Sequence, residues 1–326
     1  MTVNIDLSVS NKYKRLIIHE QMKRLMEDIS LCQETSKLMR EAQCMALEGA
    51  TGVGKSTLIQ HYQFQFPSRE TVSGSIVPIL YVPTPTPITI KGMVQEMLDR
   101  LGDPLVNKGT VRELNTKLIG LLQDCEVELI IFDDFQHLTH SKTIHIFQGV
   151  SDWLKNLIKE TVIPVLVIGI EGEVEAVLQA NSQLSRLFAV RERLLPFQWD
   201  SQRPETMKTF MSFITNIEKR VGKKLSRTEI ESFDLLHRLH YATDGVVANI
   251  MNLFNFAVLQ AEQQGTDDIT LALLAQSFDK RLNKHLRGKQ NPFIGRERFI
   301  PTTNVKPEPK KVGRKKRPSM RQLSAT

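Results

Sequence analysis

The chain has 326 residues, 41% hydrophobic and 24% charged. This is the composition of a soluble globular protein with enough length for one large or two smaller cores. No apolar run approaches a membrane span and the N-terminus lacks an apolar leader segment, so a cytoplasmic protein with no membrane partner is expected. Three cysteines, Cys32, Cys44 and Cys125, lack metal-ligand spacing, which argues against a disulfide scaffold or zinc module and fits buried thiols in a reducing compartment.

Residues 1–40 read as a helical lead-in, with apolar positions at Leu16, Ile17, Met22, Leu25, Met26 and Ile29. A buried strand is expected over 44–48. It runs into Gly49-Ala50-Thr51-Gly52-Val53-Gly54-Lys55-Ser56, which fits the phosphate-binding pattern G-x-x-x-x-G-K-[ST] at every position. Glycines at this spacing let successive backbone N–H groups converge on one anion. Lys55 is expected to reach the β- and γ-phosphates of ATP, Ser56 to ligate Mg²⁺, and Thr57 to complete the first turn of a helix over 55–65 whose N-terminus faces the phosphates.

Beyond the loop, strand and helix patterns alternate. Strands are expected over 76–82, 128–133, 163–169 and 189–196, with helices over 88–101, 110–123, 144–160 and 171–180. Pro83, Pro85 and Pro87 mark a rigid extended loop after the second strand. Such alternation predicts an α/β fold, a parallel sheet covered by helices on both faces. The run Leu129-Ile130-Ile131-Phe132-Asp133-Asp134 ends in two carboxylates, where a parallel strand delivers ligands at its C-terminal edge. Asp133 is expected to hold Mg²⁺ and Asp134 to activate water.

After Pro196-Phe197-Gln198-Trp199 only helical patterns remain, over 203–221, 226–240, 244–263 and 269–284, with Ser226, Thr243 and Asp267 or Asp268 as N-caps. They predict a small helical lid against the nucleotide. Trp153 and Trp199 are expected in the core or at the domain seam. The division is then a lead-in over 1–40, an ATPase domain over 41–200, a lid over 201–290 and a tail over 291–326. The net charge of +7 resides in the tail: residues 303–326 hold eight Lys or Arg and one acid, leaving 1–302 with 35 of each sign. A proline-containing polycation of this kind is expected to be disordered and to contact DNA phosphates, with Lys315, Lys316 and Arg317 at its centre.

The P-loop, the Asp133-Asp134 strand and the lid together resemble an AAA+ ATPase. In detail they resemble the TniB/TnsC-type ATPases that regulate transposition of bacterial mobile elements. The likeness rests on Arg15-Leu16-Ile17-Ile18-His19, on the P-loop, on Gln183-Leu184-Ser185-Arg186-Leu187-Phe188, and on Gln290-Asn291-Pro292-Phe293. It implies ATP-bound subunits assembling head to tail on double-stranded DNA, as a ring or helical filament, recruiting a transposase and reading a target-selection protein until hydrolysis dismantles them. It also implies an arginine finger, with Arg186 first and Arg191 and Arg193 next, and DNA contacts within the body at Lys108, Lys142, Arg112 or Lys117.

The chain departs from the family pattern in three places. The usual Asp-Glu is Asp133-Asp134, one methylene shorter, which predicts slow hydrolysis. Ile170 stands where a small polar sensor is expected, with Glu171 as a substitute and Gln136 or His137 as further water-positioning groups. The turn from Thr243 to Asn249 lacks an arginine, leaving Asn249 as the nearest polar group. A signalling-type NTPase switch that does not bind DNA through its folded domain is the competing reading.

Overall fold

The structure is a computed structural model that describes residues 17–300, apart from 73, 141–143, 229, 285 and 287–288. Lys142 and the tail cations Lys315, Lys316 and Arg317 lie outside the described residues, as does the start of the lead-in.

The central sheet has five parallel strands: β1 Met45–Glu48, β4 Ile79–Pro83, β5 Leu129–Asp133, β6 Val165–Gly169 and β7 Val190–Arg193. Their order is β4-β5-β6-β1-β7. β1, β5 and β6 are buried along their whole length, as strands sandwiched between two helical layers must be. Their side chains alternate between two cores. Ala46, Ile130, Phe132, Val165 and Val167 face one; Met45, Leu47, Leu129, Ile131, Leu166 and Ile168 face the other.

Helices α1 Glu20–Met39 and α2 Lys55–Gln65 close the second core, through Met22, Leu25, Ile29, Leu58 and Ile59. The first core is covered by α3 Ile90–Arg100, α4 Val111–Asp124 and α5 Ile144–Thr161, with α6 Glu173–Gln179 and α7 Ser182–Leu187 at its edge. Thr110 caps α4 in a reciprocal box with Glu113, and Thr89 caps α3. A short hairpin, β2 Arg69–Thr71 and β3 Gly74–Ile76, precedes β4. Its first strand is polar and exposed, so no hydrophobic alternation announces it.

Beyond the sheet, helices α8 Pro204–Val221, α9 Ser232–Thr243, α10 Val247–Gln263 and α11 Leu271–Arg281 enclose a third core around Phe210, Phe213, Leu253, Phe254 and Phe278. Each fully buried Leu or Phe there contributes roughly 2 kcal/mol of transfer free energy. The expected caps are not the observed ones. Lys224–Leu225 (β8) pairs in parallel with Asp268–Ile269 (β9), and the Ser226 N–H donates to the Ile269 carbonyl. This pair takes up Ser226 and Asp268, so α9 starts six residues after Ser226 and α11 is capped by Thr270. Thr243 lies inside the end of α9, bonding back to the Leu239 carbonyl, and α10 begins after Val246 without a side-chain cap.

Both tryptophans pack internally. Trp153 is buried in the first core with its indole N–H on Asn115, and Trp199 sits against the lid core, stacked on His237. All three cysteines are buried and free. No single helix among the described residues is long and apolar enough to cross a membrane.

Candidate nucleotide site

β1 delivers the glycine loop at the point where the chain leaves the middle of the sheet: β1 has β6 on one side and β7 on the other, while its own continuation crosses to the far edge. Ligands of open parallel sheets bind in such a crevice. Gly54, at φ 109°, turns the loop into α2, and a Cβ at Gly54 would lie 2.7 Å from the Met22 side chain. Only glycine satisfies both conditions. The Lys55 ammonium folds back across the loop and donates to the carbonyls of Gly49 (2.6 Å) and Ala50 (3.1 Å). Burial lowers its pKa, and the nearby charges of Asp133 and Asp134 oppose that fall. The lysine is held by these two carbonyls within the field of both carboxylates. Ser56 stands exposed in the first turn of α2.

Asp133 ends β5 and is buried. Its Oδ2 accepts from the Tyr81 hydroxyl at 2.7 Å and its Oδ1 from the Asp134 N–H at 2.9 Å. Its carbonyl accepts from both the N–H and the hydroxyl of Thr84. The phenol of Tyr81 is pushed well above its ordinary pKa, by burial first and then by Asp133. Tyr81 thus stays a proton donor that orients the carboxylate. Sequence reasoning missed it, because it lies 52 residues away on the neighbouring strand. Asp134 is exposed and adopts the left-handed conformation at φ 54°, which Asp tolerates better than most residues. The Ser56 hydroxyl and the Asp133 carboxylate are hard oxygen donors of the kind Mg²⁺ takes. Glycine cradle, cation and oxygen donors together fit a nucleoside triphosphate with its metal. Among the described residues, no cluster of three or more His, Cys, Asp or Glu side chains forms a separate metal site.

The lid touches this loop directly. The Ala248 N–H in the first turn of α10 donates to the Gly52 carbonyl at 2.9 Å. Between them lies a cavity of about 360 Å³, lined by Thr51, Gly52, Val246, Asn249, Asn252 and Arg281 among others. Asn249 is buried and its amide donates to the Thr243 carbonyl, into the lid turn. Arg281, at the end of α11 and over the Phe256 ring, is the cation that lines this cavity among the described residues. Its position well beyond the lid turn, at the end of the next helix but one, hid it from a reading of that turn.

The remaining candidates separate cleanly. Glu171 and Glu48 are within ion-pair reach of Arg193, and Arg191 binds Glu175 and the Ser185 backbone and hydroxyl. Arg186, in the last turn of α7, is exposed and has no ion pair among the described residues. β1 and β7 run parallel, with Met45 beside Val190 and Glu48 beside Arg193. The glycine loop follows their C-terminal ends, whereas Arg186 precedes the N-terminal end. Arg186 and Lys55 therefore belong to opposite ends of the sheet. Lys108 and Arg112 are exposed, while Lys117 is paired at 2.6 Å with the buried Asp103. His137 is partly buried in the 3₁₀ turn Phe135–His140.

The model of the family described as "Bacterial TniB protein" matches residues 10–198, more than half of the chain and all of the sheet. The chain belongs to the TniB family. No curated protein matches it in sequence. Solved structures resemble this TniB chain at low identity. The ORC2 protein of Aeropyrum pernix, in its ADPNP-ADP complexes, aligns with TM-score 0.60 and 14% identity over 83% of this chain and 71% of its own. Cdc6p from Pyrobaculum aerophilum gives 0.58 and 15%, over 86% and 72%. ORC1 of Aeropyrum pernix, in complex with DNA, gives 0.56 and 12%, over 81% and 66%. At these identities the likeness concerns the fold, which is that of a P-loop AAA+ ATPase with a helical C-terminal region.

Proposed function

We propose that this TniB chain is an ATP-dependent regulator of DNA transposition. In the ATP state it assembles head to tail on double-stranded DNA, as a ring or helical filament, in the bacterial cytoplasm. It links a target-selection protein to the transposase, and hydrolysis takes the assembly apart. The proposed functional units are residues 41–200 for ATP chemistry, 201–290 for the lid, 291–326 as a basic tail and 1–40 as the lead-in.

The observation that carries the reading is the separation of charges along the sheet. Lys55, Asp133 and Asp134 converge at one end, while Arg186 stands exposed, with no ion pair among the described residues, before the other. An arginine so placed serves the site of a neighbouring copy, which is a heterologous, head-to-tail contact. Gly49 to Thr57 bind the phosphates with their backbone N–H groups, and Lys55 offsets the charge of the β- and γ-phosphates. Ser56 and Asp133 would hold Mg²⁺, which when bound neutralises charge on the phosphate oxygens. Asp134 takes the proton of the attacking water. Its short side chain supports slow turnover, since a displacement near 1 Å costs on the order of a hundredfold. The DNA-bound ORC1 that shares the fold supports a DNA role. Lys108 in the body and Lys315, Lys316 and Arg317 in the tail are its proposed contacts.

A second reading rests on the balanced charge of residues 1–302 and on Lys117 being tied to Asp103. In it the chain is an NTPase switch whose tail alone touches DNA. Binding to a labelled duplex at moderate salt separates the two, measured without nucleotide, with ADP and with a slowly hydrolysed ATP analogue. Tight binding with the ATP analogue only supports the transposition regulator. Equal binding in all three conditions, lost on deleting residues 303–326, supports the switch.

A further inference from the structure

Gln136 lies just past the paired carboxylates, in the 3₁₀ turn that follows β5. It is buried, 4% exposed, in a place where a polar side chain needs partners. Its Nε2 donates to Asp134 Oδ1 at 3.0 Å, and its Oε1 accepts from the Ile170 backbone N–H at 3.3 Å. The partners fix the orientation of the amide, because a carboxylate requires a donor and a backbone N–H an acceptor. The space is tailored to this side chain: a Cβ on Gly169 would lie 2.3 Å from Gln136 Oε1 and 2.5 Å from Val174. Any larger residue at 169 would push Gln136 off the ends of both strands.

The bridge answers two features of this site. Asp134 is exposed, left-handed and short, so its side chain has few constraints of its own. Ile170 brings no polar side chain to the end of β6, yet its backbone N–H is used. We propose that Gln136 is a positioning residue for ATP hydrolysis, holding the Asp134 carboxylate in register with the end of β6 and thereby taking over the post that Ile170 leaves without a polar side chain. It acts through Asp134 and leaves the phosphate cradle, on β1 and α2, untouched. The inference rests on the ATPase reading of the same site.

The test uses the full-length chain with Mg²⁺-ATP and saturating duplex DNA, comparing wild type, Gln136→Leu, Gln136→Glu, Asp134→Asn and the double variant Asp134→Asn/Gln136→Leu. Affinity for a fluorescent ADP is measured alongside single-turnover hydrolysis. Gln136→Leu is expected to lower kcat on the order of tenfold or more, with KM and ADP affinity within about twofold of wild type. Gln136→Glu keeps the acceptor for Ile170 but loses the donor to Asp134, and is expected to fall at least as far. In the Asp134→Asn background, Gln136→Leu is expected to cost nothing further, because the two side chains act as one unit. Wild-type turnover by Gln136→Leu, a loss confined to KM or ADP affinity, or the same fractional loss with and without Asp134 each overturns the proposal while leaving the ATPase reading intact. If Gln136→Leu fails to fold, Gln136→Glu decides alone: unchanged kcat overturns the proposal. No turnover by the wild type overturns the ATPase reading, and the proposal with it.

Discussion

The two walls of the nucleotide site are built on different principles. The phosphate wall is assembled from short segments at the ends of adjacent strands, and its polar groups are bonded: Lys55 to two carbonyls, Asp133 to Tyr81 and the Asp134 N–H, Gln136 to both sides. The lid wall is assembled from remote segments and is held to the rest by few polar links. α10 has no side-chain cap. Phe197 and Gly245 meet through one backbone bond, and His19 is buried against Phe197 and Phe213 with neither ring nitrogen hydrogen-bonded among the described residues. A bonded wall keeps reacting groups in place, whereas a wall resting on apolar contact opens at smaller cost. The difference predicts that the strand ends hold their geometry and that the seam yields first.

The largest expected effect attacks the chemistry from outside the subunit. Arg186→Ala should lower hydrolysis in the DNA-bound assembly on the order of a thousandfold while leaving ATP binding intact. Mixing Arg186→Ala with Asp134→Asn should restore part of the turnover, because each copy supplies what its neighbour lacks. An Arg186→Ala chain that hydrolyses at the wild-type rate removes the intersubunit site.

The next breaks the seam by pH. Burial drives the His19 pKa from 6.5 down to about 4, so the folded state holds the neutral ring while the unfolded chain takes up a proton more readily. A depressed folded value means that the full stability is present above about pH 6.5 and is lost as pH falls toward 4, by about 3 kcal/mol. His237 and His240 are also lowered by burial and act with the same sign. Denaturant titrations followed by Trp199 fluorescence should record this slope, and His19→Phe should flatten it. An equal slope in both proteins would show that His19 is not the group involved.

Gly245, at φ 66°, offers a steric break of the same seam, because a Cβ there would lie 2.0 Å from the Phe197 carbonyl oxygen. Gly245→Ala should destabilise the lid by about 2 kcal/mol or more, read from thermal unfolding. The smallest effect sharpens the assignment of surface cations. Lys108→Ala should reduce the salt dependence of DNA binding by about one counterion. Lys117→Ala should leave it unchanged and cost stability instead, because its ammonium is already committed to buried Asp103.

Much of the phosphate wall was legible before any coordinates. A glycine loop and a paired-carboxylate strand are local patterns, and their chemistry dictates their spacing. The alternation of β1, β5 and β6 between two cores followed from unbroken apolar runs. The partners of those motifs were less legible. Gln136, two residues past Asp134, was within reach of the sequence, but Tyr81 on the neighbouring strand and Gly169, which makes room for Gln136, come from other segments, and nothing in a short window marks either as belonging to the site. The lid caps were misread for a related reason: the β8–β9 pairing joins residues more than forty positions apart and takes up Ser226 and Asp268 before they can cap a helix. The hairpin β2–β3 went unseen because its first strand is polar on both faces.

The sequence by itself determined that this chain builds a parallel sheet, carries a phosphate-loop pattern and has a basic tail, because strand periodicity, the glycine spacing and charge are properties of contiguous residues. Only the tertiary structure decided that Arg186 stands at the far end of the sheet from Lys55, that Gln136 ties Asp134 to β6, and that His19 is sealed into the seam. Those facts depend on which strands lie side by side, and strand order is set by long-range packing that no local pattern encodes.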